Sequence, residues 1–272
     1  MAFSLATWNI NSVRLRIGLV ARFLQENKPD ILCLQETKCR DSEFPAAEFQ
    51  RLGYTHIATN GQKGYHGVAI VSRLPIETVS KREFCQKGDA RHISVTLAAG
   101  IAGSEPWTVH NFYVPAGGDE PDPEINDKFA HKLAFLEEMT GWFGEGSMAR
   151  AKAILVGDLN IAPLEQDVWS HKALLSVVSH TPVEVASLAR VLGSGPWIDA
   201  MRAQVPHHEK LYTWWSYRSP DWAAADRGRR LDHIWLSELA SSHRGPITVH
   251  KDARAWEKPS DHVPVTISLV DA

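Results

Sequence analysis

A succession of short apolar runs, too short to cross a bilayer and too closely spaced for a purely helical protein, most constrains this chain. Phe3-Ser-Leu-Ala-Thr-Trp8, Ile31-Leu-Cys-Leu34, Gly67-Val-Ala-Ile-Val71 and His92-Ile-Ser-Val-Thr-Leu97 each read as a strand. Trp107–Tyr113, Ala153–Val156, Leu231–Leu236 and Val265–Leu269 continue the series. Ile17, Val20, Ala21 and Leu24 fall at helical spacing within 17–26, a helix that stops near Pro29. Asn126–Phe143 predicts a long helix and Val183–Leu192 a shorter one. Strands with interspersed helices bury their faces best as an α/β sandwich, four layers deep, with two packed mixed β-sheets flanked by helices.

No composition shift divides the chain. Its 272 residues are 44% hydrophobic, enough for a large core, and no repeat or heptad segment is visible. The Gly- and Pro-rich stretch Pro115–Pro123 is too rigid and acidic for a flexible linker. A single domain over 1–272 is therefore expected. No run approaches the roughly 18 apolar residues of a membrane span, and no basic segment followed by an apolar stretch marks a signal peptide. Cys33, Cys39 and Cys85 are odd in number and lack zinc-type spacing, which fits reduced thiols in the cytoplasm. The formal charge of −3 leaves room for a local basic face beside a carboxylate cluster, so it excludes little.

The informative pattern lies at the ends of the strands. The first ends in Asn9 and Asn11, the second in Gln35-Glu36, and Trp107–Tyr113 in Tyr113. Ala153–Val156 runs into Gly157-Asp158-Leu159-Asn160, Asp232 opens a later strand, and Ser260-Asp261-His262 precedes the last. Singly, each has an ordinary explanation. The Asn residues suit turns, Glu36 a surface carboxylate, Asp261-His262 a cap and Tyr113 simple packing. Together, polar groups at the ends of packed strands read as one site.

Trp8-Asn9-Ile10-Asn11, Leu34-Gln35-Glu36-Thr37-Lys38, Asn111-Phe-Tyr113-Val-Pro115, Gly157-Asp158-Leu159-Asn160, Arg230-Leu-Asp232 and Ser260-Asp261-His262 resemble the signature blocks of exonuclease III-type apurinic/apyrimidinic endonucleases. These belong to the endonuclease/exonuclease/phosphatase superfamily, and the resemblance extends from Phe3 to Leu269. It implies a metal-dependent phosphodiesterase of DNA repair. Mg²⁺, with Mn²⁺ also compatible, prefers carboxylate and amide oxygens. Glu36 is the first choice as ligand; Asn11, Asp158, Asn160, Asp261 and His262 are further candidate ligands, and Asp232 is a candidate to complete or share the site. Asp158 is the candidate to activate water and Asn160 to orient it. His262, held by Asp232, is the candidate donor to the phosphate, with Tyr113 a second donor. Asn9, two residues from Asn11 on an extended segment, points to the same side.

Arg14, Lys38, Lys63, Arg91 and Arg218 stand out among the basic residues beside these blocks as candidate phosphate contacts. Trp214 is the candidate wall of a pocket for an abasic sugar, while at least one of Trp214 and Trp215 is expected in the core. Two departures from the family pattern, Arg229 within Arg227-Gly-Arg-Arg230 and the stretch Pro163–Thr181 carrying Trp169 and His171, suggest a bias toward 3′ ends. The expected partner is duplex DNA with abasic sites or 3′ blocks, met by a monomer in the cytoplasm and nucleoid, with no membrane. A phosphatase or phospholipid phosphodiesterase on the same scaffold, or an inactive DNA-binding module, are the rival readings.

Overall fold

A computed structural model describes residues 2–101, 105–146, 151–219 and 221–270. The chain begins with β1 (Phe3–Asn9), α1 (Ile17–Asn27), β2 (Ile31–Gln35), α2 (Ala46–Arg51), β3 (His56–Asn60), β4 (Val68–Ser72) and β5 (Ile76–Ser80). It continues through β6 (His92–Leu97), β7 (Trp107–Tyr113), α3 (Asp127–Gly144), β8 (Lys152–Asp158), α4 (His171–Leu174), α5 (Pro182–Ser194), β9 (Trp197–Asp199) and α6 (Ala200–Gln204). Then come β10 (Trp214–Trp215), α7 (Trp222–Ala225), β11 (Gly228–Arg229), β12 (Asp232–Ser237), α8 (Glu238–Ser241), β13 (Arg244–Val249) and β14 (Val265–Leu269).

Two six-stranded sheets form, in the orders β13-β14-β1-β2-β4-β3 and β5-β6-β7-β8-β12-β9. Both follow one scheme. A central parallel pair, β1/β2 or β7/β8, is joined through a crossover helix, α1 or α3, and every other neighbour is antiparallel. The amino-acid sequence carries no visible repeat, so the likeness lies in topology. The inner faces meet in one apolar layer that includes Leu5, Ile31 and Cys33 from one sheet and Val95, Val109, Ile154 and Ile234 from the other. Outside the first sheet, Val20, Phe23 and Leu24 of α1 pack with Trp8 and Leu34. Outside the second, Phe135, Leu136, Met139 and Phe143 of α3 pack with Phe112 and Leu155. The result is the α/β sandwich that the strand pattern predicts.

The helix boundaries obey local chemistry. α1 ends where Lys28 turns left-handed, just before Pro29. The Asn126 side chain accepts from the Lys128 N–H and starts α3. Thr181 and Glu184 form a reciprocal capping box at α5, with Pro182 in its first turn. Strands without an apolar run escape sequence reading. β5 is mostly exposed and β13 alternates exposed with half-buried residues, as sheet edges do.

Candidate active site

The parallel strands of both sheets deliver their C-terminal ends to one place. β1 brings Asn9, β2 leads into Glu36, β7 brings Tyr113 and β8 brings Asp158. Asn9 joins the sheets: its amide donates to Glu36 Oε1 at 2.9 Å and to Asp158 Oδ2 at 2.8 Å, while its oxygen accepts from the Asn11 N–H. The Tyr113 hydroxyl donates to Glu36 Oε1 at 2.9 Å. His262 Nδ1 donates to Asp232 Oδ2 at 2.8 Å, and its Nε2 faces Asp158 Oδ2 at 3.6 Å. The Asn160 N–H and side-chain amide both donate to Asp158. The structure thus brings together Asn9, Glu36, Tyr113, Asp158, Asn160, Asp232 and His262, residues separated by most of the chain length.

Local backbone geometry serves this convergence. Asn11, Ser12, Glu36, Lys38 and Asn160 all have positive φ without being glycine, a conformation that costs about 1–3 kcal/mol and persists where surroundings impose it. At Gly157 (φ +137°) an added Cβ would strike the Phe112 carbonyl, so only glycine lets β8 reach the site beside β7.

The electrostatics are uneven. Burial pushes the Asp158 carboxyl up to about 7, with Asp232 and Glu36 adding to the rise and His262 and Asn9 opposing it. Burial pushes His262 down, but the Asp232 and Asp158 carboxylates outweigh it and raise the imidazolium to about 10. Burial also raises Glu36, yet Lys38, Asn9 and His262 hold it below the ordinary carboxylate value. Tyr113 is driven well above its ordinary value by burial and by Glu36 and Asp158, so it stays a hydroxyl donor.

The donor set fits a hard divalent cation. Ligand atoms of Asp158, Asp232 and His262 lie within 4.8 Å of one another, and the buried Asp232 Oδ1 has no hydrogen-bond partner among the described residues. Between Glu36 Oε2 and Asn11 Oδ1, at 2.7 and 2.6 Å, sits the Lys38 ammonium, marking a spot where positive charge is favoured. Asp261 stands at the margin, accepting from Asn11 Nδ2 at 3.2 Å and from Trp214 Nε1 at 2.9 Å.

The other predicted residues divide. Lys38 reaches the cluster. Trp214 and Arg218 line a cavity of about 700 Å³ that also includes Asn160, Trp169, Arg227 and Arg229. Trp215 is core, 2% exposed. Arg14 is exposed and pairs with Glu43 at 3.5 Å, and Lys63 is exposed on the loop after β3. Arg91 differs from a surface phosphate contact: it is 6% exposed, bonded to Asp89 and the Tyr113 carbonyl, with its guanidinium over the Tyr113 ring. Arg230 is fully buried in an ion network with Asp167 and Asp199.

Several supporting residues escape sequence reading because they brace the cluster's backbone and strands and supply none of its reactive groups. Gln35 donates to Asn111 at 2.7 Å, and Asn111 donates to the Leu34 and Ala69 carbonyls, stapling the sheets beneath the site. Buried Lys132 binds the carbonyls of Asn160 and Ala116 and pairs with Glu184, which accepts from the Ser179 N–H. Thr213 Oγ accepts from the Asp232 N–H, and Ser260 Oγ donates to the Asn9 carbonyl. The signal that could have found Gln35, Asn111 and Ser260 is their place inside the motif blocks, and for Thr213 its place beside Trp214; Lys132 and Glu184 carry none.

Comparison with known proteins agrees with this arrangement. Exodeoxyribonuclease III of Haemophilus influenzae is 29% identical over 265 residues, covering 95% of this chain and 97% of that protein. The structure of an AP endonuclease from Archaeoglobus fulgidus superposes with a TM-score of 0.88 at 33% identity, covering 99% of this chain and 100% of that one. A 3′ phosphatase from Neisseria, bound to a product DNA hairpin, gives 0.87 at 32% identity, covering 98% and 99%. Residues 6–262 match the model of one family across both sheets and every element of the site. The chain belongs to the endonuclease/exonuclease/phosphatase family.

Proposed function

We propose that the chain is a Mg²⁺-dependent phosphodiesterase of DNA repair, acting on duplex DNA at abasic sites and at blocked or ordinary 3′ ends. The observation that carries this is the convergence of Glu36, Asp158, Asp232 and His262 from both sheets beside one cavity. The substrate class draws support from relatives named exodeoxyribonuclease III, AP endonuclease and 3′ phosphatase. No helix among the described residues is long and apolar enough to cross a membrane; a monomer working on DNA in the cytoplasm is the setting this reading implies.

Asp158, with a carboxyl raised to about 7, takes a proton from the attacking water, and Asn160 and Asn9 fix that carboxylate and the water. The water oxygen bonds to phosphorus, the bond from phosphorus to the 3′ oxygen breaks, and that oxygen takes a proton from bulk water while Asp158 releases the one it received. His262, kept cationic by Asp232, donates to the phosphoryl oxygens as their charge grows, and Tyr113 supplies a second hydroxyl donor. Glu36 and Asn11, with Asp158, Asp232 and Asp261 near, would hold Mg²⁺, or Mn²⁺ in its place, which when bound neutralises developing phosphate charge. Lys38, Arg218 and the exposed Arg14 and Lys63 are the cations placed to meet phosphates.

A bias toward 3′ ends is favoured by Arg229. Its guanidinium donates to the Val178 carbonyl and to Ser179 Oγ and lies over the Trp214 ring, narrowing the space an internal nucleotide would need. Three labelled duplexes test both readings: an internal abasic site, a 3′-phosphate and a recessed 3′ end. Cleavage with Mg²⁺ that EDTA abolishes, faster at the 3′ ends, is expected. Hydrolysis of small phosphate esters or phospholipids without any DNA cleavage would overturn the assignment.

A further inference from the structure

Lys132, on α3, is a fully buried cation that takes no part in the reaction. Its ammonium has three N–H donors, and each meets one acceptor: the Asn160 carbonyl at 2.8 Å, the Ala116 carbonyl at 3.2 Å and Glu184 Oε1. Glu184 in turn accepts from the Ser179 N–H at 2.9 Å and from the Thr181 hydroxyl at 2.6 Å. The lysine stem runs beneath Gly117 (φ +92°), where an added Cβ would lie 3.0 Å from Lys132 Cδ and 3.1 Å from Val178 Cγ1. Ala116, Asn160, Val178 and Ser179 all line the cavity beside the catalytic cluster. One buried cation thus fastens three separate segments of that wall from behind: those after β7, after β8 and before α5.

Stability does not account for this arrangement. A buried ion pair contributes little over apolar residues of equal volume, and α3 and α5 already share an apolar contact through Leu136, Met139, Leu188 and Val191. What the ammonium adds is direction. Asn160 has φ +55°, a left-handed backbone that turns its N–H and its side-chain amide to Asp158 at 2.9 and 3.2 Å and its carbonyl to Lys132. A buried carbonyl without a donor is costly. With the Lys132 donor in place, the orientation that serves Asp158 is also the one that satisfies the backbone.

We propose that Lys132 is a positioning residue for the phosphodiester cleavage: by holding the Asn160 carbonyl and, through Glu184, the Ser179 wall, it fixes Asn160 in the conformation that orients Asp158 and the attacking water. Its effect on the rate runs through Asn160. A displacement of about 1 Å in such a group, caused from a distance, can cost about 10²-fold. The inference rests on the phosphodiesterase reading and adds to it a residue outside the reacting groups.

The test is Lys132→Met combined with Glu184→Gln, which removes the ammonium, keeps the volume and leaves at position 184 an oxygen to accept from Ser179 and Thr181. Steady-state cleavage by the full chain with Mg²⁺, on whichever of the three labelled duplexes it cuts fastest, is measured for this pair variant alone and together with Asn160→Ala. On its own the pair variant is expected to lower kcat per folded molecule by about 10–10²-fold, with KM changed by less than about threefold. Added to Asn160→Ala it is expected to lower kcat by less than about twofold further, since two changes acting through one group do not add. A merely structural role would give the same factor in both backgrounds; that result, or an unchanged kcat in the pair variant, would overturn the proposal. Lys132→Arg, which keeps the charge but displaces its donors, carries the same cycle where the pair variant does not fold. Failure of the unaltered chain on all three duplexes would instead sink the phosphodiesterase reading; cleavage with equal factors in both backgrounds sinks only this one.

Discussion

Two buried charge clusters lie on either side of the start of β12, and they are built on opposite terms. In one, Asp167 accepts from Arg202 and from Nε and Nη2 of Arg230, Asp199 accepts from Nη1 of Arg230 at 2.7 Å, and two carboxylates meet two guanidiniums. Burial opposes these charges, yet pairing wins, holding Asp199 below and Arg230 above their ordinary values. In the other, His262 and Lys38 are the cations paired with Glu36, Asp158 and Asp232 among the described residues, Asp158 is pushed up to about 7, and Asp232 Oδ1 has no partner among those residues. Arg230 and Asp232 are two residues apart and serve different clusters. A satisfied network holds structure, whereas one short of positive charge is where a cation and a phosphate find a place.

The contrast breaks most visibly under substitution. Asp158→Asn should lower cleavage of an abasic duplex by about 10²–10⁴-fold while leaving thermal stability equal or higher, because the amide does not have to bury a charge. Single-turnover rates and melting curves check both halves. Glu36→Gln should cost at least about 10²-fold and shift the Mg²⁺ dependence to higher concentration. Asp167→Ala should do the reverse. Leaving Arg202 buried without a carboxylate and Arg230 with Asp199 alone costs about 3–5 kcal/mol of stability, measurable by urea unfolding, while the rate per folded molecule falls far less than in Asp158→Asn.

A subtler difference lies in pH. The folded pKa of His262 is raised to about 10 from an ordinary 6.5, so its stabilising effect is complete below pH 6.5 and is lost as pH rises through about 10. In metal-free protein, the stability gap between the unaltered chain and His262→Asn should therefore shrink between pH 6.5 and 10; a gap that widened would contradict the imidazolium reading. Smallest of all, Arg218→Ala should lower DNA affinity modestly and reduce the slope of log affinity against log salt by about one.

These contrasts also explain what the amino-acid sequence discloses. Apolar runs reveal the central strands, since burial on both faces demands continuous hydrophobic residues, whereas edge strands β5 and β13 face water and lack that mark. Glu36, Asp158 and His262 are legible because each lies at the end or the start of such a strand. Arg230 sits in the same motif as Asp232, yet only three-dimensional packing shows it engaged by Asp167 and Asp199. Arg91 turns inward for a similar reason, with Asp89 and Tyr113 claiming its donors. Lys132 and Glu184, on two different helices, become a pair only when α3 and α5 pack side by side.

Titrating Mn²⁺ into the metal-free protein, with calorimetry as the readout, tests the cation-seeking cluster most directly. Saturable binding by the unaltered chain and by Asp167→Asn, weakened at least about tenfold in Glu36→Gln, is the predicted result. Absence of binding, or equal affinity in Glu36→Gln, would show that Glu36 and its neighbours are not a metal site.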